Sequence, residues 1–209
     1  MNHADAASKV SSNETARYHK SVMAGTRNAR KRILEATAEL VTVGGLAAAT
    51  PAAIAERAGA GKMSLYRHFS GKDELVAEAL AERDLHYQAW LIGDPADGTA
   101  RERLLALFDR AASRADQGGS SFIGCPYVNV RLDLPDDDHP AAPVVVAHKD
   151  GMQRELAALL TEIGVPDPEQ RARVVLMLLD GAIVHSVIRG NGDPLREARA
   201  ALPGLISAS

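Results

Sequence analysis

The chain has 209 residues, 46% of them hydrophobic, which is enough to bury a substantial core in one or two domains. Its formal net charge of −3 does not by itself favour a nucleic-acid binder. The single cysteine, Cys125, excludes an internal disulfide, and no apolar stretch approaches the roughly 18 residues of a membrane span. These features predict a cytoplasmic protein that does not enter a membrane.

The charge is distributed unevenly along the chain. Residues 1–75 carry 11 Lys and Arg against 7 Asp and Glu, a net charge of +4. Residues 76–209 carry 13 against 20, a net charge of −7. We therefore expect the N-terminal end to approach phosphate groups while the rest of the molecule stays away from them.

The first 25 residues are rich in Ala, Ser, Asn and charge, and they lack the apolar core of a signal peptide. We predict a flexible N-terminal arm over residues 1–25 and interpret it as a plain disordered tail. The alternative is an arm that contacts a DNA minor groove or backbone. Its contacts would come from Lys9, Arg17, His19 and Lys20.

Two short helices joined by a glycine turn are predicted about a quarter of the way along the chain. The Thr50 hydroxyl suits a helix N-cap, and Pro51 follows at the first helical position, where its missing N–H costs nothing. The glycines of residues 59–61 supply the positive φ that a sharp turn requires. In the second helix, Leu65 and Phe69 lie four residues apart and share one buried face. The sequence therefore predicts a helix-turn-helix unit.

The outer surface of the second helix carries side chains that suit DNA contact. Lys and Arg match guanine acceptors, methionine packs against a thymine methyl, and hydroxyl or basic groups reach phosphates. The alternative is a helix-turn-helix used only for protein packing, with these charges merely solvated. The predicted DNA-binding residues are Thr50, Ser64, His68 and Lys72 at phosphates, and Lys62, Met63, Tyr66 and Arg67 at base edges.

A long connecting helix follows this unit. Ser70 with Asp73 and Glu74 has the spacing of a capped helix start, and Lys72 in the first turn opposes the helix dipole, which favours a phosphate role. The helical pattern continues through residues 75–87 and stops before Gly93.

The remainder is predicted to be helical almost throughout. The segments are 101–115, a less regular stretch at 121–134, an amphipathic helix at 143–163 and a final helix at 170–189. Because this final helix is apolar nearly all round, it must be covered on most sides. A partner subunit covers it more easily than one monomer does, so we predict a homodimer.

The N-terminal region also carries a wider pattern of residues: 32–34, 38–40, Gly44, Thr50, 54–55, 58–59, 65–66, 68–69, Lys72 and Leu75. Through this pattern, the span 26–76 resembles the DNA-binding domain of the tetracycline-repressor (TetR) family. Many members carry serine where this chain has Gly61, and glycine is also a workable cap.

The resemblance implies an all-α protein with two domains. Residues 26–75 would form a three-helix DNA-binding domain, and residues 76–209 a helical effector-binding and dimerisation domain. It also implies a homodimer on a palindromic operator, a four-helix bundle at the dimer interface, and release by a small hydrophobic inducer. The candidate pocket walls, each with core packing as its alternative, are Trp90, Phe108, Phe122, Tyr127, Met152 and Met177.

Two alternatives to an inducible repressor stay open. The first is an effector-independent repressor, which a cavity of roughly 300 Å³ or more in the second domain would argue against. The second is an enzyme that uses Cys125 with His148 or His139, which requires those side chains within hydrogen-bond reach.

Further roles for the cysteine and the histidines carry less support. Cys125 is interpreted as inert rather than redox-active, since a reactive thiol needs an electropositive, accessible setting. His139, His148 and His185 with Asp180 lack the spacing of a metal site. We therefore predict no catalysis, no metal and no cofactor.

Overall fold

The computed structural model describes residues 28–207, without the side chains of Leu85 and Ser120, so the predicted arm over residues 1–25 lies outside the described residues. Within this range the chain forms α-helices and short 3-10 turns without any strand, which confirms the predicted all-α fold. The helices are α1 (28–48), α2 (Pro51–Arg57), α3 (Lys62–His68), α4 (Lys72–Ile92), α5 (Ala100–Gly118), α6 (Pro126–Asp133), α7 (Ala141–Ile163), α8 (Pro168–Arg189) and α9 (Asp193–Leu205).

The turn between α2 and α3 follows from local chemistry. Thr50 is the N-cap of α2, and its hydroxyl accepts a hydrogen bond from the Ala53 N–H at 3.2 Å. Gly59 adopts a φ of +57°, so the chain reverses there at low cost. Gly61 is the N-cap of α3 and brings no side-chain oxygen to it. The predicted helix start and glycine turn are confirmed.

Helices α1 to α3, which we call the head, pack around one apolar centre. Leu65 and Phe69 are each only 4% exposed, which confirms the shared buried face, and Ile33 of α1 and Ile54 of α2 are fully buried. The Arg32 Nε also donates to the Ala58 carbonyl at 3.0 Å and ties α1 to the end of α2.

Helix α4 begins differently from the prediction. Its N-cap is Gly71 rather than Ser70, and Gly71 makes no side-chain cap. Ser70 instead donates its backbone N–H to the Glu74 carboxylate at 2.7 Å, and its hydroxyl bonds the same carboxylate. The Glu74 carboxylate thus accepts both hydrogen bonds that Ser70 donates in the loop before the helix. Helix α4 then runs to Gly93, where a φ of +83° ends it.

The irregular segment 121–134 resolves into a shorter helix. Gly124 has a φ of +88° and approaches α8 so closely that an added Cβ would lie 3.2 Å from a Val187 methyl. Pro126 then opens α6, since its fixed φ suits the first helical position. The Tyr127 hydroxyl donates to the Leu80 carbonyl at 3.1 Å and joins α6 to α4.

Residues 170–189 are not the last helix, because α9 follows α8. Leu195, Ala198 and Leu202 lie at spacings of three and four and are buried where α9 packs on α5 and α8. This spacing and the early Pro194 were signals available in the sequence. Between residues 28 and 207, no helix combines the length and apolar character needed to cross a bilayer.

Candidate DNA-binding surface and effector cavity

Helix α3 turns its functional side chains away from the core. Because Leu65 and Phe69 point inward, Met63 and Tyr66 remain 77% and 59% exposed. Lys62 and Arg67 are also exposed, and with these two residues they occupy the arc of the helix that the buried pair leaves free. Large apolar side chains that are exposed to water beside cations mark a surface that binds another molecule. The four side chains predicted at base edges are therefore brought together on one face.

The four residues predicted at phosphates surround that face. Thr50 is exposed at the start of α2, while Ser64 and His68 are half-buried along α3. The Lys72 ammonium donates to the Leu46 carbonyl at 3.0 Å, which engages one of its three N–H groups. These positions are compatible with backbone contacts, and the assignments stay predictions.

Polar contacts connect the head to the helices behind it. Arg30 of α1 pairs with Glu78 of α4. The Leu46 N–H donates to the Asp133 carboxylate at 3.1 Å, at the end of α6. Near the start of α7, the His139 Nε2 lies 3.3 Å from the Asp73 carboxylate. The head is therefore held through α1 by α4 and α6, while the α6–α7 loop contacts the start of α4.

A cavity of about 540 Å³ lies between α1, α4 and α5. Its apolar surface includes Leu34, Ala38 and Ala79, and its aromatic wall is formed by Tyr87 and Trp90, whose ring centroids are 5.8 Å apart. Its remaining lining residues are charged or titratable: Lys31, Glu35, Glu39, Glu82, Arg83, His86 and Arg114.

Two arginines converge on Tyr87 in this cavity. The guanidinium carbons of Arg83 and Arg114 lie 6.0 and 5.5 Å from its ring centroid, and Arg114 donates to its hydroxyl at 3.2 Å. Burial, followed by the charge of Arg114, lowers the pKa of Arg83. Burial likewise raises the pKa of Tyr87. Two guanidinium groups thus meet at the Tyr87 ring in a partly desolvated place.

Of the six predicted pocket residues, Trp90 alone lines this cavity. Phe108, Phe122, Tyr127 and Met152 are buried in the packed interior, and Met177 is 65% exposed on α8. Sequence reasoning missed Arg83, Tyr87 and Arg114. The spacing of residues 83, 87 and 90 along one face of α4 was visible, whereas the contribution of α5 required the tertiary structure.

A second polar cluster lies in the interior. Cys125 is 7% exposed and hydrogen-bonds to His148, whose Nδ1 lies 2.6 Å from the Asp84 carboxylate. The imidazole also stacks on Tyr127, with centroids 3.7 Å apart and an angle of 10° between the rings. The hydrogen-bond condition of the enzyme alternative is therefore met for His148, although neither Cys125 nor His148 lines the cavity.

Electrostatics favour the charged forms of this pair. Burial alone would raise the pKa of Cys125, but its hydrogen bond to His148 and the nearby Lys149 charge lower it. Burial opposes the charge of His148, yet its hydrogen bonds to Asp84 and Cys125 raise its pKa. Over the described part of the chain, no three His, Cys, Asp or Glu side chains gather in a way that could hold a metal.

Comparison with known proteins places the chain in a family. Residues 33–79 match the family model "Bacterial regulatory proteins, tetR family", and residues 137–208 match "Tetracyclin repressor-like, C-terminal domain". A proposed TetR transcriptional regulator from Streptomyces avermitilis is 32% identical over 83% of this chain and 97% of its own, with a TM-score of 0.70. The chain belongs to the TetR family of transcriptional regulators.

Two further solved structures share the fold. SCO4454, a TetR-family regulator from Streptomyces coelicolor, is 25% identical over 89% of this chain and 93% of its own, with a TM-score of 0.72. The reduced form of Escherichia coli NemR is 21% identical over 86% of this chain and 98% of its own, with a TM-score of 0.74. Among curated proteins, none matches the chain. Proteins of this family are regulators and are generally not enzymes.

Proposed function

We propose that the protein is a ligand-responsive repressor that binds a palindromic DNA operator as a homodimer and is released by a small molecule. The observation that carries this proposal is the outer face of α3, where Lys62, Met63, Tyr66 and Arg67 project together from a helix whose other face is buried. Two such helices related by a two-fold axis would read half-sites roughly 10 bp, or a multiple of that, apart.

An exposed apolar stripe on α8 supports the homodimer. Its members recur at spacings of three and four along the helix, as in the seam of a helical bundle. Met177 and Ile188 are 65% and 72% exposed, which is costly for a surface left in water. Two surface hollows of about 550 and 890 Å³ adjoin Met177 and would receive side chains of a second copy. The α8 stripe consists of Val174, Met177, Gly181, Val184 and Ile188.

The cavity between α1, α4 and α5 supports a response to a ligand. Its volume of about 540 Å³ exceeds the roughly 300 Å³ expected of a small-molecule site, which favours an inducible regulator over an effector-independent one. It lies at the junction with the head rather than within residues 76–209 alone. A ligand there regulates DNA binding only if its affinity differs between the bound and released states.

Selection of bound duplexes from a random DNA pool tests the proposal. Purified protein is incubated with the pool at about 150 mM salt, which suppresses simple phosphate attraction, and the retained duplexes are sequenced. Enrichment of an inverted repeat supports an operator-binding dimer. If no sequence is enriched while light scattering shows a folded dimer, specific operator binding by the protein alone is wrong.

The selected operator then serves as the probe that distinguishes an inducible repressor from an effector-independent one. Protein bound to labelled operator is challenged with a library of small molecules, and release is followed by fluorescence anisotropy. A compound that releases the operator but not random DNA supports induction. Operator affinity that no compound changes would favour constitutive repression.

A further inference from the structure

The α1–α4–α5 cavity contains two guanidinium groups that lack carboxylate partners. Over residues 28–207, Arg30, Arg57 and Arg103 each pair with a glutamate, whereas no ion pair is formed by Arg83 or Arg114. In addition, the Arg83 Nε is buried and has no hydrogen-bond partner among the described residues. Buried N–H groups are normally satisfied, so this donor, like the Arg103 Nε elsewhere in the interior, needs an acceptor that the described residues do not supply.

None of the carboxylates at the cavity forms an ion pair with Arg83 or Arg114 in the described part of the chain. Glu35 lies 3.6 Å from the Lys31 ammonium, and Glu39 lies 3.0 Å from the Arg57 guanidinium. Glu82 is therefore the one lining carboxylate without an ion pair in the described part of the chain. The lining carries three cations and three carboxylates, so its formal charge is balanced, but two guanidiniums and one carboxylate stand there without an ion pair to any described residue.

The rest of the lining includes an apolar part. The Tyr87 and Trp90 rings, inclined by 37° to each other, line the cavity together with the buried residues Leu34, Ala38 and Ala79. Aromatic walls with a few convergent polar groups are typical of small-molecule sites, and guanidinium is the side-chain group best suited to a carboxylate.

We propose that this cavity binds a small aromatic carboxylate, with its anionic group at Arg83 and Arg114 and its ring against Tyr87 and Trp90. The inference rests on the proposed function for its regulatory meaning and names the chemical class of the effector. Since α1 belongs to the head and α5 to the C-terminal helices, a ligand between them changes how the head is held. A shift of α1 relative to α4 then alters the spacing of the two reading helices in a dimer.

Calorimetry with matched acids and amides tests the proposal on the full-length protein. The probes are benzoate, 3-phenylpropionate and 1-naphthoate, each compared with its uncharged amide. We expect at least one acid to bind about tenfold more tightly than its amide, because the amide carbonyl accepts only a hydrogen bond without the negative charge that strengthens it in the carboxylate. Trp90 is the single tryptophan of the chain, so saturable quenching of its fluorescence locates the ligand.

Two substitutions and one control test whether the two arginines bind the carboxylate of the ligand. Arg83→Gln and Arg114→Gln should each weaken binding of that acid by about tenfold, while affinity for the amide changes little. The matched control is Arg154→Gln, on the exposed surface of α7, which should leave both affinities unchanged. Circular dichroism and thermal melting confirm that the variants fold.

The outcomes separate this inference from the proposed function. If no acid binds, if acid and amide bind equally, or if both folded arginine variants retain full affinity for the acid, the aromatic carboxylate site is wrong. An enriched operator together with any of these results would leave the repressor intact and overturn only the ligand class. Conversely, acid binding that needs both arginines, with no enriched operator, would support the site and contradict the repressor.

Discussion

The His148 Nδ1 lies 2.6 Å from the Asp84 carboxylate, and this contact joins α7 to α4 in the interior. Cys125 extends the chain of hydrogen bonds from the N-cap of α6, so three helices meet in one polar cluster. The cluster is buried, and its members satisfy one another. Its protonation state therefore contributes to how firmly α4 is held against the C-terminal helices.

Replacement of Asp84 by Asn should destabilise the protein in a pH-dependent way. The folded-state pKa of His148 is raised, so its stabilisation is fully present below about 6.5 and is lost as the pH rises through the raised value. We expect a loss of about 2 kcal/mol at about pH 6 and a smaller loss at about pH 9.5, measured by urea unfolding. Asp150→Asn, at an exposed site on α7, is the control. An equal loss at both pH values would contradict the expectation.

The Cys125 thiol should titrate below its ordinary range. Although burial opposes the thiolate, the hydrogen bond to His148 and the charge of Lys149 lower its pKa, so the thiolate forms below the usual value of 9.0. His148→Gln should move the transition upward, because burial then dominates. The measurement is thiolate absorbance near 240 nm against pH, with Cys125→Ser as the blank. A transition that does not move in the folded His148→Gln variant would show that His148 has no part in it.

Lys62→Ala should weaken operator binding by about 1 to 3 kcal/mol and relax sequence preference at one position of each half-site. The reason is that an exposed lysine at the start of α3 is placed to donate to guanine acceptors. Competition between operator and random duplex provides the measurement. Equal weakening on both DNAs would assign Lys62 to the phosphate backbone alone.

A substitution that introduces a charge on the α8 stripe should dissociate the proposed dimer into monomers. Met177→Glu or Ile188→Glu would bury a carboxylate twice at a two-fold interface, so light scattering at micromolar concentration should show monomer mass. Leu132→Glu is the control, because Leu132 is 78% exposed on α6 and lies outside the stripe. A dimer that survives both stripe substitutions would mean that another surface pairs.

Gly192→Ala should destabilise the fold by about 1 to 3 kcal/mol, through crowding between two helices. An added Cβ would lie 2.5 Å from the Ala112 carbonyl oxygen in α5, and the Gly192 N–H already donates to Asp116 at 2.7 Å. Gly204→Ala, where no atom lies within 4 Å of the added Cβ, should cost nothing. Thermal melting distinguishes the two variants, and equal melting temperatures would contradict the close contact.

Features that depend on neighbouring residues were predictable from sequence. The Thr50 cap, the Gly59 turn and the Leu65–Phe69 face each rest on a few consecutive positions, and all are confirmed. The prediction of Ser70 as the N-cap of α4 was wrong, because sequence spacing cannot show that the Glu74 carboxylate accepts the Ser70 N–H and that Gly71 takes the cap position.

Features that join distant segments were not predictable. Asp84 and His148 are 64 residues apart, and Arg114 reaches Tyr87 from another helix. Hydrophobicity also cannot separate a pocket wall from a core residue, since both are apolar. Phe108 and Tyr127 are fully buried in the interior, while Trp90, of the same class, borders the cavity.

The apolar stripe on α8 also affects how repression of the target gene would depend on the concentration of this protein when little of it is present. If two copies must meet along this stripe before either reads a full operator, the dimer concentration rises as the square of the monomer concentration while monomer predominates. A twofold rise in synthesis would then give about a fourfold rise in the species that binds DNA. Repression would set in over a narrow range of protein level, steeper than any single copy of the chain could produce.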